Sequence, residues 1–317
     1  MMCMVHAGHD TSGASICTGG IVIDVSALKQ IIINRKQTDA YIQAGVRFQQ
    51  LDDTLATYGL SAVSGVCYTV GIAGYTLGGG WGMTSKKYGM GLDNILEMDV
   101  ALPSGEIVTA KKGGKYDDLF WAMRVSGHVV HRLRAYDMQY RSTAEIETTD
   151  VQMQKYIYMV SSHSLGSHSS RPTLSGSLQG AGHQNFGIMT SMRYRVYKLP
   201  LVVAVNMTFE GPDTNPELNV QILDTYQRKY LNHGTRDLSF YINYSGNTTT
   251  GLIQTIIYAV LQQSGPVAKD EAMRLLKPFI RLGPASVYVQ VKPPSWLPNM
   301  QVTTRQCYGR YHQILPW

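Results

Sequence analysis

Cys67-Tyr68-Thr69-Val70-Gly71-Ile72-Ala73-Gly74-Tyr75-Thr76-Leu77-Gly78-Gly79-Gly80-Trp81-Gly82 sets six glycines behind a thiol. Each glycine costs backbone entropy on folding. A cluster of them therefore points to left-handed turns or to a ligand lying against bare backbone, and packing explains it poorly. Upstream stands a second island, Gly8-His9-Asp10-Thr11-Ser12-Gly13, polar and turn-rich, with a histidine inside it. A lone cysteine is usually a small buried hydrophobe, and a lone histidine is usually structural. Carried on two glycine loops, the pair reads instead as two walls of one cofactor pocket.

The rest of the chain sets bounds on that reading. At 317 residues it has room for two domains with real cores, and 44% hydrophobic with 16% charged residues is an ordinary globular balance. The formal charge of +6 is scattered, with no Lys/Arg run and no aromatic-basic repeat, which argues against nucleic acid as a partner. No segment is long and apolar enough to span a bilayer. The start, Met1-Met2-Cys3-Met4-Val5-His6, is neither a signal peptide nor a helix cap. A cofactor loop normally follows a strand that holds it, so upstream chain is expected to be missing. Cys3, Cys17, Cys67 and Cys307 are too few and too scattered for a disulfide framework, and no Cys-x-x-Cys pair suggests zinc. Sequons at Asn206, Asn243 and Asn247 permit a secretory route, though the compartment and the oligomeric state are not legible.

Elements follow from the pattern. Ile21–Val25, Ile31–Ile33 and Tyr41–Gly45 read as strands, and Gln49–Tyr58 as a helix with Leu51 and Leu55 four apart and Gly59 as its stop. Leu96–Leu102 and Glu106–Ala110 flank Pro103-Ser104-Gly105, a hairpin turn, and Asp117–Met123 is a short helix. A strand at Ser191–Tyr197 follows. Beyond Pro200 come strand Leu201–Phe209, helix Pro216–Tyr230, strands Leu238–Tyr244 and Leu252–Leu261, helix Ala268–Arg281 and strand Ala285–Val291. That order predicts an antiparallel sheet covered by helices on one face.

The motifs together resemble the berberine bridge enzyme-like branch of the FAD-linked oxidases, in the vanillyl-alcohol oxidase superfamily. The resemblance rests on both glycine islands, on Gly19-Gly20-Ile21-Val22-Ile23-Asp24, Ala44-Gly45-Val46 and Leu92-Asp93-Asn94-Ile95-Leu96. It rests further on Asp118-Leu119-Phe120-Trp121-Ala122 and Asn185-Phe186-Gly187-Ile188. It covers residues 5–124 and 180–200, more weakly the second domain. It implies an α+β chain: a PCMH-type FAD-binding domain at 1–124 and 180–200, and a partial substrate domain at 201–292. It implies FAD held bicovalently, His9 bonded to the ring methyl and Cys67 to a neighbouring ring carbon, as covalent attachment raises the flavin's potential. Gly8, Asp10, Thr11, Ser12, Gly13, Gly71, Gly74, Gly78, Gly79, Gly80, Gly82 and Asn94 would surround the cofactor by the same matching. Val70 would stand beside the ring where oxygen enters. Ile107, Val108, Asn185, Phe186, Gly187 and Ile188 would line the adenine and diphosphate end. The activity implied is oxidation of a secondary metabolite or sugar-like alcohol with oxygen as acceptor.

Departures qualify this. Ala7-Gly8 stands where the family has two glycines, and Tyr75 replaces a histidine of the Gly-Gly-His segment. The family's catalytic base is a tyrosine in a C-terminal Asn-Tyr motif that nothing here matches, so no base is assigned. Both ends look truncated, with a Pro-rich tail at 293–317, and the alternative is an inactive fragment. Residues 125–179 interrupt the motif order. Val125-Ser126 can be encoded GTGAGT and Gln179 CAG, which match splice donor and acceptor signals, so the segment reads as a translated intron, the alternative being a genuine inserted loop, and it is expected to pack poorly. His128, His131, His163 and His168 cluster there without a carboxylate or thiol at useful spacing, which speaks against a metal site.

Overall fold

From Ile107 to Lys111 exposed and buried residues alternate, Val108 and Ala110 inward, as a half-buried strand requires. The computed structural model describes residues 2–10, 13, 15–125, 156–157, 186–199, 201–212, 217–231, 234–247, 252–263 and 265–293. These fall into two compact units, the first holding the described residues up to Val125, 186–199 and Pro293, the second Tyr156–Ile157 and those from Leu201 to Lys292.

The first unit is built on a five-stranded antiparallel sheet of β3 (Ile31–Ile33), β4 (Asp39–Gln43), β9 (Ile188–Arg195), β6 (Ile95–Ala101) and β7 (Ile107–Lys111), in that order. Its register lines Ile31, Ile42, Met192, Met98 and Ala110 in one cross-strand row. Helix α1 (Phe48–Ala56) packs Phe48, Leu51 and Leu55 into the same core, a spacing of three and four residues that gives one apolar stripe. Arg47 gives that helix no side-chain cap. Burial of the three side chains, roughly 1.5–3 kcal/mol each, therefore holds it. Helix α2 (Ile72–Leu77) adds Ile72, Ala73 and Leu77, and α4 (Asp117–Val125) adds Phe120 and Met123; the short helix α3 (Ser85–Tyr88) and an antiparallel pair of β5 (Leu60–Ser61) with β10 (Tyr197–Lys198) complete this unit. The expected hairpin between β6 and β7 is present, with the Leu102 amide donating to the Glu106 carbonyl at 2.8 Å.

At the edge of this unit Met2–Val5 is a strand, β1, paired in parallel with β2 (Ile21–Asp24), and the histidine loop runs between the two. Two expectations are corrected here. Cys3 and Cys17 are joined by a disulfide across that loop, a pairing that their 14-residue separation did not signal. The glycines after Cys67 owe much to packing, as shown below.

In the second unit the sheet runs β14 (Ser286–Lys292), β11 (Val202–Pro212), β13 (Leu252–Leu261), β12 (Leu238–Asn247) and β8 (Tyr156–Ile157), every pair antiparallel. Val203, Val205, Met207 and Phe209 alternate toward the core beneath α5 (Glu217–Tyr226) and α6 (Ala268–Ile280). The helix expected to reach Tyr230 instead widens into a π turn over Gln227–Leu231. There the Tyr230 ring stacks on Phe279 at 5.0 Å and its hydroxyl donates to the Leu275 carbonyl at 2.7 Å. Asn243 is 3% exposed within β12, and the Asn206 Oδ1 is buried in β11, so neither sequon is open to glycan transfer in the folded chain.

The architecture is α+β with antiparallel sheets. Of residues 125–179 only Val125 and Tyr156–Ile157 are described. The interruption and its four histidines therefore lie outside the described residues, as do Thr11, Ser12, Asn185 and the 294–317 tail.

Candidate functional site

The histidine loop leaves β1 at His6 and returns to β2 at Ile21, its base closed by the Cys3–Cys17 bond. The cysteine loop is a turn, with the Val70 amide donating to the Cys67 carbonyl at 3.2 Å. Helix α1 holds this turn from below. Its first amides, Phe48 and Gln49, donate to the carbonyls of Val70 and Tyr68 at 3.1 and 3.0 Å, which satisfies donors that a helix start leaves open. The two loops meet. His9 Nε2 lies 3.0 Å from Thr69 Oγ1, sixty residues away in sequence, and a ring of His6 seats on Gly71.

The electrostatics favour neutral imidazoles. Burial lowers the pKa of His9, and the Arg47 guanidinium lowers it further. His6 is lowered by the same two causes in the same order, against smaller raising effects of Asp24 and the Gly45 backbone. A neutral imidazole keeps a lone pair, which a nucleophile or a ligand-binding nitrogen needs. Cys67 is disulfide-bonded. Only a released thiolate can bond carbon.

The glycines divide into two groups. A Cβ at Gly71 would strike the His6 ring, one at Gly82 the Ser64 carbonyl, and one at Gly80 the Tyr75 ring at 2.5 Å. Those at Gly65 and Gly91 would meet Phe48 and Tyr75 at 2.9 and 2.8 Å. Gly65, Gly80, Gly82 and Gly91 thus form a mould around Tyr75, whose ring sits edge-on to Phe48 at 4.6 Å. The packing explanation set aside at the sequence level is the right one for these positions. Gly8, Gly13 and Gly74 are different: nothing lies within 4 Å of a Cβ added there. Exposed backbone without side chains is a surface against which a flat dinucleotide cofactor can lie, and FAD fits what these loops present.

The remaining expected residues sort by place. Val70 is half-buried in the cysteine turn. Gly79 approaches only Leu92, at 3.8 Å, and Gly78 ends α2 with its amide bonded to the Gly74 carbonyl at 3.0 Å. Ala101 of β6 pairs with both Ile107 and Ile188, Val108 lies opposite Val100, and a Cβ on Gly187 would strike Val100 at 2.6 Å. Phe186 packs on the same core. Ile107, Val108, Phe186, Gly187 and Ile188 therefore lie together at one end of the sheet, Asn185 lying outside the described residues. Asn94 does not offer its side chain to a ligand: it is 1% exposed, donating to the Tyr88 and Met90 carbonyls and accepting from Tyr197 at 2.5 Å. Asp10 is exposed. Thr69, His6 and Arg47 were missed by sequence reasoning. Thr69 stood inside the quoted motif, but no periodicity marks a hydroxyl as the partner of a histidine on another loop. Among the described residues there is no cluster of three or more metal-ligating side chains.

Residues 2–111 match the family model described as FAD binding domain. The FAD-linked oxidoreductase sor8 of Hypocrea jecorina is 35% identical over 45% of this chain and 26% of its own length. The FAD-linked oxidoreductase YgaK of Bacillus subtilis is 26% identical over 90% of this chain and 49% of its own. The solved structure of BBE-like 1 from Physcomitrella patens aligns with a TM-score of 0.66 at 20% identity, covering 97% of this chain and 54% of that one, a likeness of fold. The chain spans about a quarter to a half of the length of these curated relatives.

Proposed function

We propose that this chain, whose residues 2–111 match an FAD binding domain, is a berberine bridge enzyme-like FAD-linked oxidoreductase and carries FAD covalently on His9 and Cys67. We propose further that it serves an oxidase that passes electrons from a small alcohol or secondary metabolite to oxygen. The observation that carries this is the 3.0 Å bond from His9 to Thr69, which brings the histidine loop against the cysteine turn. FAD supplies a two-electron acceptor that oxygen can reoxidise. The chain's own part is to hold that cofactor: bare backbone at Gly8, Gly13 and Gly74 admits it, and a neutral His9 can bond it. The Cys3–Cys17 disulfide supports folding in an oxidising compartment.

The test is denaturing electrophoresis under ultraviolet light after expression with FAD. A fluorescent band that survives either His9→Ala or Cys67→Ala, and is lost in the double variant, supports bicovalent attachment. A dark wild-type band refutes covalent attachment. A second reading, attachment through His9 alone, is favoured by the disulfide at Cys67. It predicts that His9→Ala by itself abolishes the fluorescence.

A further inference from the structure

The two partners in the bond between the loops are not equally free. Thr69 is 7% exposed and sits inside the Cys67–Val70 turn. The carbonyls on either side of it, those of Tyr68 and Val70, are both bound by the first amides of α1. That helix is in turn anchored by Phe48, Leu51 and Leu55, each 0% exposed. Thr69 cannot swing without lifting its loop off a buried helix. His9 follows Gly8, at φ +69° with open space around it, so the histidine loop is the adjustable member. A hydroxyl can donate to or accept from either ring nitrogen, but only Nε2 is within reach of Thr69.

We propose that Thr69 is the positioning residue for flavin attachment: its hydroxyl accepts the Nε2–H of His9, fixing the ring's tautomer and turning Nδ1, with its lone pair, to the flavin. The inference rests on the attachment reading above. In the step it serves, an N–C bond forms between His9 Nδ1 and the ring-methyl carbon. One methyl C–H and the Nε2–H break, and the electron pair passes through the flavin to dioxygen, which leaves with both protons as hydrogen peroxide. Burial and Arg47 keep the ring neutral, consistent with a nitrogen that attacks rather than one already protonated.

The experiment uses the chain with Cys67→Ala, so that covalent flavin reports on His9 alone, and compares Thr69, Thr69→Val and Thr69→Ser. The flavin-free chains are labelled with 15N-histidine and their ring nitrogens read by NMR. The threonine chain is expected to show His9 in one neutral tautomer, protonated at Nε2. The valine variant should show a mixture, and the serine variant should restore the single form. Incubated with FAD, the valine variant should gain acid-stable flavin roughly five- to tenfold more slowly, the effect of one lost hydrogen bond, with serine restoring the rate. Equal rates and unchanged His9 spectra in Thr69→Val overturn the proposal. If no chain acquires covalent flavin, the attachment reading fails. The spectra then still decide whether Thr69 sets the His9 ring, and a thermal melt confirms that each variant is folded.

Discussion

Asp52 is the residue whose replacement tests the packing argument most sharply. It lies on the buried face of α1, 7% exposed, where the helix pattern calls for an apolar side chain. Ser64 Oγ donates to its Oδ1 at 2.6 Å, while its Oδ2 and the nearby buried Tyr75 hydroxyl have no partner. Burial pushes its carboxyl from 3.8 up to about 7, against the lowering effect of Ser64 and with a small further rise from Asp53. An acid whose folded pKa is raised stabilises the fold fully below its unfolded pKa. That contribution is lost as pH rises through the folded value, here between about pH 4 and pH 7. At about 1.4 kcal/mol per pH unit, the window corresponds to a loss of roughly 4 kcal/mol. Asp52→Asn keeps the shape and cannot ionise. In urea titrations from pH 4.5 to 8.5, the variant should match the parent at the acid end. It should be more stable by a few kcal/mol at pH 8, equivalent to a rise in Tm of roughly 5–15 °C. If the difference between the two chains is flat across that range, Asp52 is not a buried acid and the account of this core is wrong.

Further expectations follow from other contacts. Gly80→Ala drives a Cβ into the Tyr75 ring at a φ of +72° and should cost about 2–4 kcal/mol, whereas Gly8→Ala, at φ +69° in open space, should cost about 1 kcal/mol. Paired thermal melts measure the contrast, and equal losses would mean that Tyr75 does not fill the mould. Opening the Cys3–Cys17 bond by Cys17→Ser should lower stability by roughly 2–4 kcal/mol, read as a melting difference that vanishes when the parent is reduced. Expressed through a secretory route, the chain should carry no glycan at Asn206 or Asn243, because both are held inside strands of the second sheet. Glycopeptide mapping checks it, and occupancy of Asn243 would place that residue outside the sheet.

Much of the fold was legible in local patterns. The helix at Phe48–Ala56 announces itself through Leu51 and Leu55, the β6–β7 hairpin through Pro103-Ser104-Gly105, and the second sheet through its alternating strands, because helix and strand periodicities are written residue by residue. The strand Met2–Val5 escaped notice because four residues in parallel pairing with Ile21–Asp24 carry no period long enough to read. The π turn at Gln227–Leu231 escaped because the rings its Tyr230 packs on, Phe240 and Phe279, lie outside the helix itself.

The site divides the same way. Sequence by itself determined the resemblance: two glycine loops, one with His9 and one with Cys67, in an order and spacing similar to those of FAD-linked oxidases. What each glycine is for was decided only by tertiary structure. The absence of a side chain is visible in one letter, but the atom that would have occupied its space belongs to a residue elsewhere in the chain. Gly80 yields to Tyr75 and Gly71 to His6, while Gly8 and Gly74 stay open. The placing of Thr69 against His9, sixty positions apart, is likewise a product of the fold, because hydrogen-bond geometry between loops depends on how α1 and β1 hold them.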